Sequence, residues 1–291
     1  MLGQGARLAR RIGLGPLLRS GRDVLDQACM HAGRPPLRAA TDGLTLHGFL
    51  RHRSVLDGVA TGRYDTLYSE LFERALKPGM IVIDGGAYIG LYTLIAGRRI
   101  GSTGVVVAFE PDPYNFQVLS FNVTRNRATN VILTRKALSD CVGRTPFYES
   151  ASTYSSSLME RQGVEWRRRT QVDLTALDRE LPDVSGVSLL VKLDVEGAEV
   201  CALRGMRKTL ERCTSAVLFV EINPDALRDA GFQVRDLCAE LNHLGFQIEI
   251  IDEHQRGLVP LIEHSAVRKG NLYCTRINRP ESRMHTLRGL P

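Results

Sequence analysis

The chain has 291 residues, 43% of them hydrophobic, and a formal net charge of +6 at pH 7. That length suits one large α/β domain with an N-terminal extension, or two small domains, and no run of 18 uncharged apolar residues is present to cross a membrane as a helix. The six cysteines (Cys29, Cys141, Cys201, Cys213, Cys238, Cys274) are scattered without a Cys-x-x-Cys pair, a pattern that favours free thiols in a reducing cytoplasm over disulfides or zinc.

Residues 1–62 read as the extension. Arg7, Arg10, Arg11, Arg19 and Arg22 offer weak contact with an anionic membrane surface at most. Gly13, Gly15 and Pro16 break the apolar stretch too soon for a signal-peptide core. Short alternation from Thr41 to Arg53 predicts a small hairpin. A helix follows from about Asp65 to Ala75, with Leu67, Leu71 and Phe72 on one face, and Lys77-Pro78-Gly79 ends it. Strands are then expected near 80–84, 105–110, 130–135, 188–194 and 216–222, with helices near 91–99, 113–125, 198–212 and 225–244. Such alternation calls for a doubly wound α/β fold, a mainly parallel sheet with helices on both faces.

Phe246–Ile251 and Asn271–Thr275 add an antiparallel edge hairpin, which makes a seven-stranded, Rossmann-like sheet spanning 63–277. The polar segment 278–291 reads as a disordered tail. Between Phe147 and Arg169 a stretch rich in Ser and Arg interrupts the alternation and reads as a lid or substrate loop. Its arginines (Arg161, Arg167, Arg168, Arg169) lack interleaved aromatics beyond Trp166. They read as solvated surface, and nucleic acid is not an expected partner.

Met80 to Gly90 is the most informative segment. The apolar run Ile81-Val82-Ile83 stops at Asp84, and Gly85, Gly86 and Gly90 follow before a helical pattern resumes at Leu91. A strand passing through a glycine turn into a helix is where α/β sheets hold nucleotide-like ligands. Glu110, at the end of the next apolar run, can accept hydrogen bonds from both hydroxyls of a ribose. NAD and S-adenosylmethionine (SAM) both use such an acid. The loop lacks the G-x-G-x-x-G spacing, and Asp84 suits an ammonium while repelling a pyrophosphate. SAM is the expected cofactor.

Asp84-Gly-Gly-Ala-Tyr-Ile-Gly90, Ala108-Phe-Glu-Pro-Asp-Pro113, Ala137-Leu-Ser-Asp140 and Lys192-Leu-Asp-Val-Glu-Gly-Ala-Glu199 occur in that order. Together they resemble the FkbM-type SAM-dependent methyltransferases, over roughly Tyr64 to Asn223. The resemblance implies a class I SAM methyltransferase fold and O-methylation of a hydroxyl on a sugar, glycolipid or secondary metabolite. It implies cofactor contacts from Asp84, Gly86, Tyr88, Gly90 and Glu110, and adenine contacts from Ala137 and Leu138, with Ser139 and Asp140 as further candidates. The family usually has Asn where this chain has Tyr88.

Four strand ends carry acids: Asp84, Glu110, Asp194 and Glu221. Asp194 and Glu196 are the candidates for catalytic base or acceptor clamp, Asp194 first. Lys192, inside an apolar strand, requires a carboxylate partner. Asp194, Glu221 and Asn223 are oxygen donors suited to Mg²⁺, although a metal-free site is the expectation. His264 is an alternative base. Asn223-Pro224 lacks the second proline and the aromatic of the nucleic-acid amino methyltransferases. A non-catalytic binding or regulatory domain is the alternative function, and a dinucleotide-dependent oxidoreductase a more distant one.

Overall fold

The computed structural model describes residues 25, 26, 28, 29, 32, 35–63, 66–150, 156–160, 166–181, 184–261 and 268–277. The basic segment before Leu25, His264 and the 278–291 tail lie outside them. Strands β1 (Leu37–Thr41) and β2 (Leu44–Gly48) pair antiparallel about Asp42 and Gly43, both at positive φ (45° and 77°). Asp-Gly favours this tight reversal, whose twist matches that of the strands. The hairpin therefore lies earlier than 41–53. Beyond it the chain turns helical, through Leu50–His52 into α1 (Arg53–Ala60), because Val55, Leu56 and Val59 recur at helical spacing and are buried.

α2 (Thr66–Ala75) follows as expected, and then β3 (Ile81–Gly85), α3 (Leu91–Ile100), β4 (Val105–Phe109), α4 (Pro113–Arg125) and β5 (Val131–Thr134). A short β6 (Ala137–Leu138) leads to β7 (Gly143–Ser150) and β8 (Trp166–Thr175). The rest comprises α5 (Leu177–Glu180), β9 (Ser188–Leu193), α6 (Glu199–Arg204), α7 (Arg207–Arg212), β10 (Ser215–Ile222), α8 (Pro224–Asp229), α9 (Val234–His243), β11 (Gln247–Asp252), β12 (Gly257–Pro260) and β13 (Gly270–Ile277).

Both long helices expected near the C-terminal half are divided, and caps explain where. Asp178 of α5 accepts the backbone N–H of Thr209 at 2.7 Å and of Lys208 at 3.1 Å, so α7 starts afresh. Asp236 accepts the Gln233 N–H at 2.7 Å and restarts the chain as α9.

Among the described residues the main sheet has eight strands in the order β12-β11-β13-β10-β9-β3-β4-β5. The five strands β5, β4, β3, β9 and β10 are parallel, and β13 inserts antiparallel between β10 and β11. These are the seven strands expected, and β12 adds an eighth at the edge. The two ends of the stretch 147–169 are strand, since β7 and β8 pair antiparallel in a separate three-stranded sheet with β6.

The parallel strands are apolar at successive positions because both faces are covered. On one face Val191 and Leu193 meet Val200, Leu203, Leu237 and Leu241. On the other, Val82, Leu190 and Phe219 meet Phe72, Tyr92 and Ile100. Phe219 packs edge-on to Tyr68, Phe72 and Tyr273, with ring centroids 5.2, 5.3 and 5.2 Å away. Such a pair contributes about 0.5–1.5 kcal/mol beyond area burial.

The hairpin shares a core with the main sheet rather than carrying its own: Ala39, Leu46 and Phe49 cluster with Ile89, Leu94, Val118 and Leu119. Two side-chain amides, Asn122 of α4 and Asn126 at its C-cap, fix it. Asn122 accepts from His47 N–H at 2.8 Å and donates to His47 O at 3.0 Å, while Asn126 does the same for Thr45 at 2.9 and 2.7 Å. The register that places α1 over the β3–α3 loop follows from these four bonds.

Candidate active site

A cavity of about 340 Å³ opens at the carboxyl ends of the parallel strands, where β3 and β9 lead away on opposite sides. That is the expected ligand position in an open α/β sheet. Gly86, Tyr88, Glu110, Ala137, Leu138, Asp194, Glu196 and Glu221 all line it. Five strand ends and loops separated by up to 135 positions thus converge on one space.

At one end the β3–α3 loop is tied to β4. Gly86 and Ala87 N–H both donate to Phe109 O, at 3.0 and 2.9 Å. Glu110 Oε2 accepts the Tyr88 N–H at 2.7 Å and Oε1 the Asp112 N–H at 2.9 Å. Burial, with Asp112 nearby, pushes the Glu110 carboxyl up to about 8, although these hydrogen bonds favour the charged form. Tyr88 has φ 52°, a left-handed conformation that Asn tolerates better than most residues. The Asn expected there fits the backbone, and the tyrosine needs bracing. His52 supplies it, edge-on to the Tyr88 ring with centroids 5.2 Å apart.

Sequence reasoning missed His52. Its Nδ1 accepts the Phe49 N–H at 3.0 Å, so Nε2 carries the proton and donates to Asn115 Oδ1 at 3.2 Å. Burial and the neighbouring Arg51 lower its pKa to about 3, and the ring is neutral. No motif marks it, because its partners are brought by α4 and by the β3–α3 loop.

Two of the expected cofactor residues are elsewhere. Asp84 is 1% exposed and does not line the cavity. It accepts from Thr93 Oγ1 at 2.6 Å and lies 3.4 Å from Lys192 Nζ, so its charge is spent inside the protein. Gly90 packs against α4, where a Cβ would stand 2.7 Å from Leu119 Cδ1. Gly86 does line the cavity, but its lack of a Cβ serves the fold first. A Cβ there would fall 1.9 Å from Asp194 O. Ala137 and Leu138 form an apolar wall, 6% and 1% exposed. Asp140 is exposed and outside the lining, so the structure does not bring it to the same wall.

The other end is ionic. Lys192 finds the carboxylates its burial requires, Asp84 at 3.4 Å and Asp194 at 3.6 Å, and donates to Gly86 O at 3.1 Å. Burial opposes its charge, but these two acids outweigh it and raise the ammonium pKa. Lys269, just before β13, lies 2.9 Å from Glu221 and 3.8 Å from Glu196. Carboxylate oxygens of Asp194, Glu196 and Glu221 come within 4.8 Å of one another, close enough to share one cation. Asn223 does not complete that set as expected. Its Oδ1 caps α8 by accepting the Ala226 N–H at 3.3 Å, and its Nδ2 donates to Glu196 at 3.1 Å. Glu199 braces the loop from within, accepting Gly197 N–H on both oxygens at 3.2 and 3.1 Å.

The stretch expected as a lid contributes a wall. Ser156 and Leu158 line the cavity, and Ser157 Oγ donates to Glu196 O at 2.9 Å.

A family model described as "Methyltransferase FkbM domain" matches residues 84–248, more than half the chain. The chain belongs to the FkbM methyltransferase family. Among curated relatives, the 31-O-demethyl-FK506 methyltransferase FkbM of Streptomyces tacrolimicus is 37% identical over 108 residues, 33% of this chain and 40% of that protein. Methyltransferase 1 of Beauveria bassiana is 26% identical over 145 residues, 43% of this chain and 57% of that one. The matches therefore span about half the length of these relatives. The solved structure of methyltransferase FkbM from Methylobacillus flagellatus is 17% identical, with a TM-score of 0.43, covering 82% of this chain and 56% of that chain. The FkbM match begins at Asp84 and includes every cavity acid, whereas the hairpin, His52 and Lys269 lie outside it. The strand order, with β13 inserted antiparallel beside β10, is that of a class I SAM methyltransferase. No helix among the described residues is long and apolar enough to cross a membrane.

Proposed function

We propose that this protein is a SAM-dependent O-methyltransferase acting on a hydroxyl of a sugar, glycolipid or secondary metabolite. One observation carries the reading: a single cavity has the acid that ends β4's apolar run, Glu110, at one end and the carboxylates Asp194, Glu196 and Glu221 at the other. The name of the Streptomyces relative, which specifies an oxygen, supports the choice of acceptor atom.

The residues present fit the cofactor. Glu110 offers lone pairs to two ribose hydroxyls, and Ala137 with Leu138 presents an apolar face to adenine. Gly86 and Tyr88 bound the amino-acid part. Asp84 acts indirectly, by holding Lys192 and through it the loop at Gly86 O. When bound, SAM supplies an electrophilic methyl group on a sulfonium that is already a good leaving group.

The protein is left to align an acceptor oxygen and relieve it of a proton. Alignment alone is worth up to about 10 kcal/mol when the geometry is near-attack. Asp194, half exposed at the cavity mouth and steadied by Lys192, clamps the acceptor hydroxyl. Glu196, held at φ 49° by Asn223 and Ser157, shapes the same wall.

The test is to incubate the protein with SAM carrying a labelled methyl group and a deproteinised extract of its own cells. Label on an oxygen of a small molecule is the expected result. Label confined to nucleic acid or protein added in parallel, or SAM binding without any transfer, would overturn the reading.

A further inference from the structure

We propose that Glu221 is the group that takes the proton from the acceptor hydroxyl, an assignment that rests on the methyltransferase reading above. Asp194 and Glu196 are the acids that the motif singles out. The structure distinguishes Glu221 from both by what its oxygens already do.

Glu221 ends β10 with its side chain 10% exposed. Oε1 lies 2.9 Å from Lys269 Nζ, and Oε2 is buried against the cavity with no hydrogen-bond partner among the described residues. Leaving a buried acceptor unsatisfied is costly, because the group has given up its water without a replacement. Such an atom persists where a ligand donor completes it. Asp84 Oδ1 is also buried without a hydrogen bond, but it faces Lys192 at 3.4 Å and lies outside the cavity lining, and the acids that do line the cavity offer no comparable oxygen. Both oxygens of Glu110 hold backbone N–H groups, as does Glu199 Oε1 and Oε2. Glu196 Oε2 accepts from Asn223, and Asp194 is half exposed beside Lys192.

The charges facing Glu221 suit it to receive a proton. Burial and the carboxylates of Asp194 and Glu196, with Glu199 behind them, raise its pKa well above the ordinary range. Lys269 opposes them from just before β13, as does Lys192 from β9. In the step itself, the acceptor oxygen forms a bond to the methyl carbon as the carbon–sulfur bond breaks. The sulfur keeps that electron pair and becomes the thioether of S-adenosylhomocysteine. The hydroxyl proton passes to Glu221 Oε2 and returns to solvent after the product leaves.

The experiment combines transfer and titration. Labelled SAM and deproteinised extract are given to wild type, Glu221→Gln and Lys269→Met, with folding checked by circular dichroism. SAM affinity is measured by calorimetry. Glu221→Gln should keep the fold and bind SAM within about threefold, while transfer falls at least about 10²-fold. The wild-type rate should rise with pH to a plateau, and Lys269→Met should displace that rise upward by about one unit or more. In ¹³C-carboxyl-labelled protein without acceptor, a titration lost in Glu221→Gln should show the same upward displacement in Lys269→Met. Transfer by Glu221→Gln within tenfold of wild type, or a Glu221 carboxyl titrating in the ordinary range, would remove Glu221 as the base while leaving the methyltransferase reading intact. A wild type that binds SAM and transfers nothing would overturn both.

Discussion

The two ends of the cavity solve the problem of a buried carboxylate in different ways. At the Glu110 end the charge is met by backbone N–H groups, with a neutral His52–Asn115 pair behind them. At the Asp194–Glu221 end the carboxylates are met by ammonium groups, Lys192 within the sheet and Lys269 at its rim. Dipoles from a fixed loop hold one geometry and suit recognition. Ammonium counter-charges offset the carboxylates without occupying every oxygen, which leaves an acceptor for chemistry. Each Glu110 oxygen already holds one backbone N–H and keeps a further lone pair, whereas Glu221 keeps one oxygen with no partner among the described residues.

The largest expected effect breaks the ionic end. Lys192→Met leaves Asp84 buried, 1% exposed, without its cation, and removing one member of a buried pair costs about 3–5 kcal/mol. Urea denaturation should show that loss. A change below about 1 kcal/mol would mean that Thr93 alone satisfies Asp84.

Next comes the recognition end. Glu110→Ala should weaken SAM by about 1–3 kcal/mol, the range for hydrogen bonds to a charged group. An unchanged dissociation constant in the folded variant would take Glu110 out of the site. Asp194→Asn separates the two ends more finely. As a clamp beside Lys192 it should lose about tenfold in transfer, less than the roughly 10²-fold or more that a missing base costs. SAM binding should hold within about threefold.

The pH dependence of binding sharpens the comparison. Ribose hydroxyls donate, so they need Glu110 as the carboxylate. Adenosine, which lacks the amino-acid part, should bind more tightly as pH rises through about 8, and Glu110→Gln should flatten the profile. For stability the sign is opposite. The folded state holds this proton more tightly than the unfolded chain, so Glu110's contribution is full below the ordinary carboxylate range and is lost as pH approaches about 8. A pH-independent adenosine affinity would contradict the assignment. The smallest effect belongs to Tyr88→Asn. Relief of the left-handed backbone opposes loss of the His52 contact, worth about 0.5–1.5 kcal/mol if it resembles other ring pairs. Unfolding free energy should shift by less than about 1 kcal/mol.

Much of the frame was legible along the chain, because apolar runs that end in acids and glycines are local patterns. Ile81 to Gly86 and Val105 to Glu110 announced two strands with their ligand-facing ends, and Asp-Val-Glu-Gly-Ala-Glu marked the third. Lys192 in an apolar strand even declared its need for an acid. One acid, Asp194, is two residues away, but the buried one that met it was not local. The parallel register of β3 and β9 sets Asp84 opposite Lys192, withdrawing Asp84 from the ligand role its loop position suggested. Gly90 was likewise claimed by Leu119 of α4, and Asn223 by the start of α8. His52 and Lys269 carry no motif at all. His52 reaches the Tyr88 ring, and Lys269 the cavity, because a hairpin is pinned to α4 and an antiparallel strand returns beside β10, and such contacts between distant segments have no signature in the residues on either side of them.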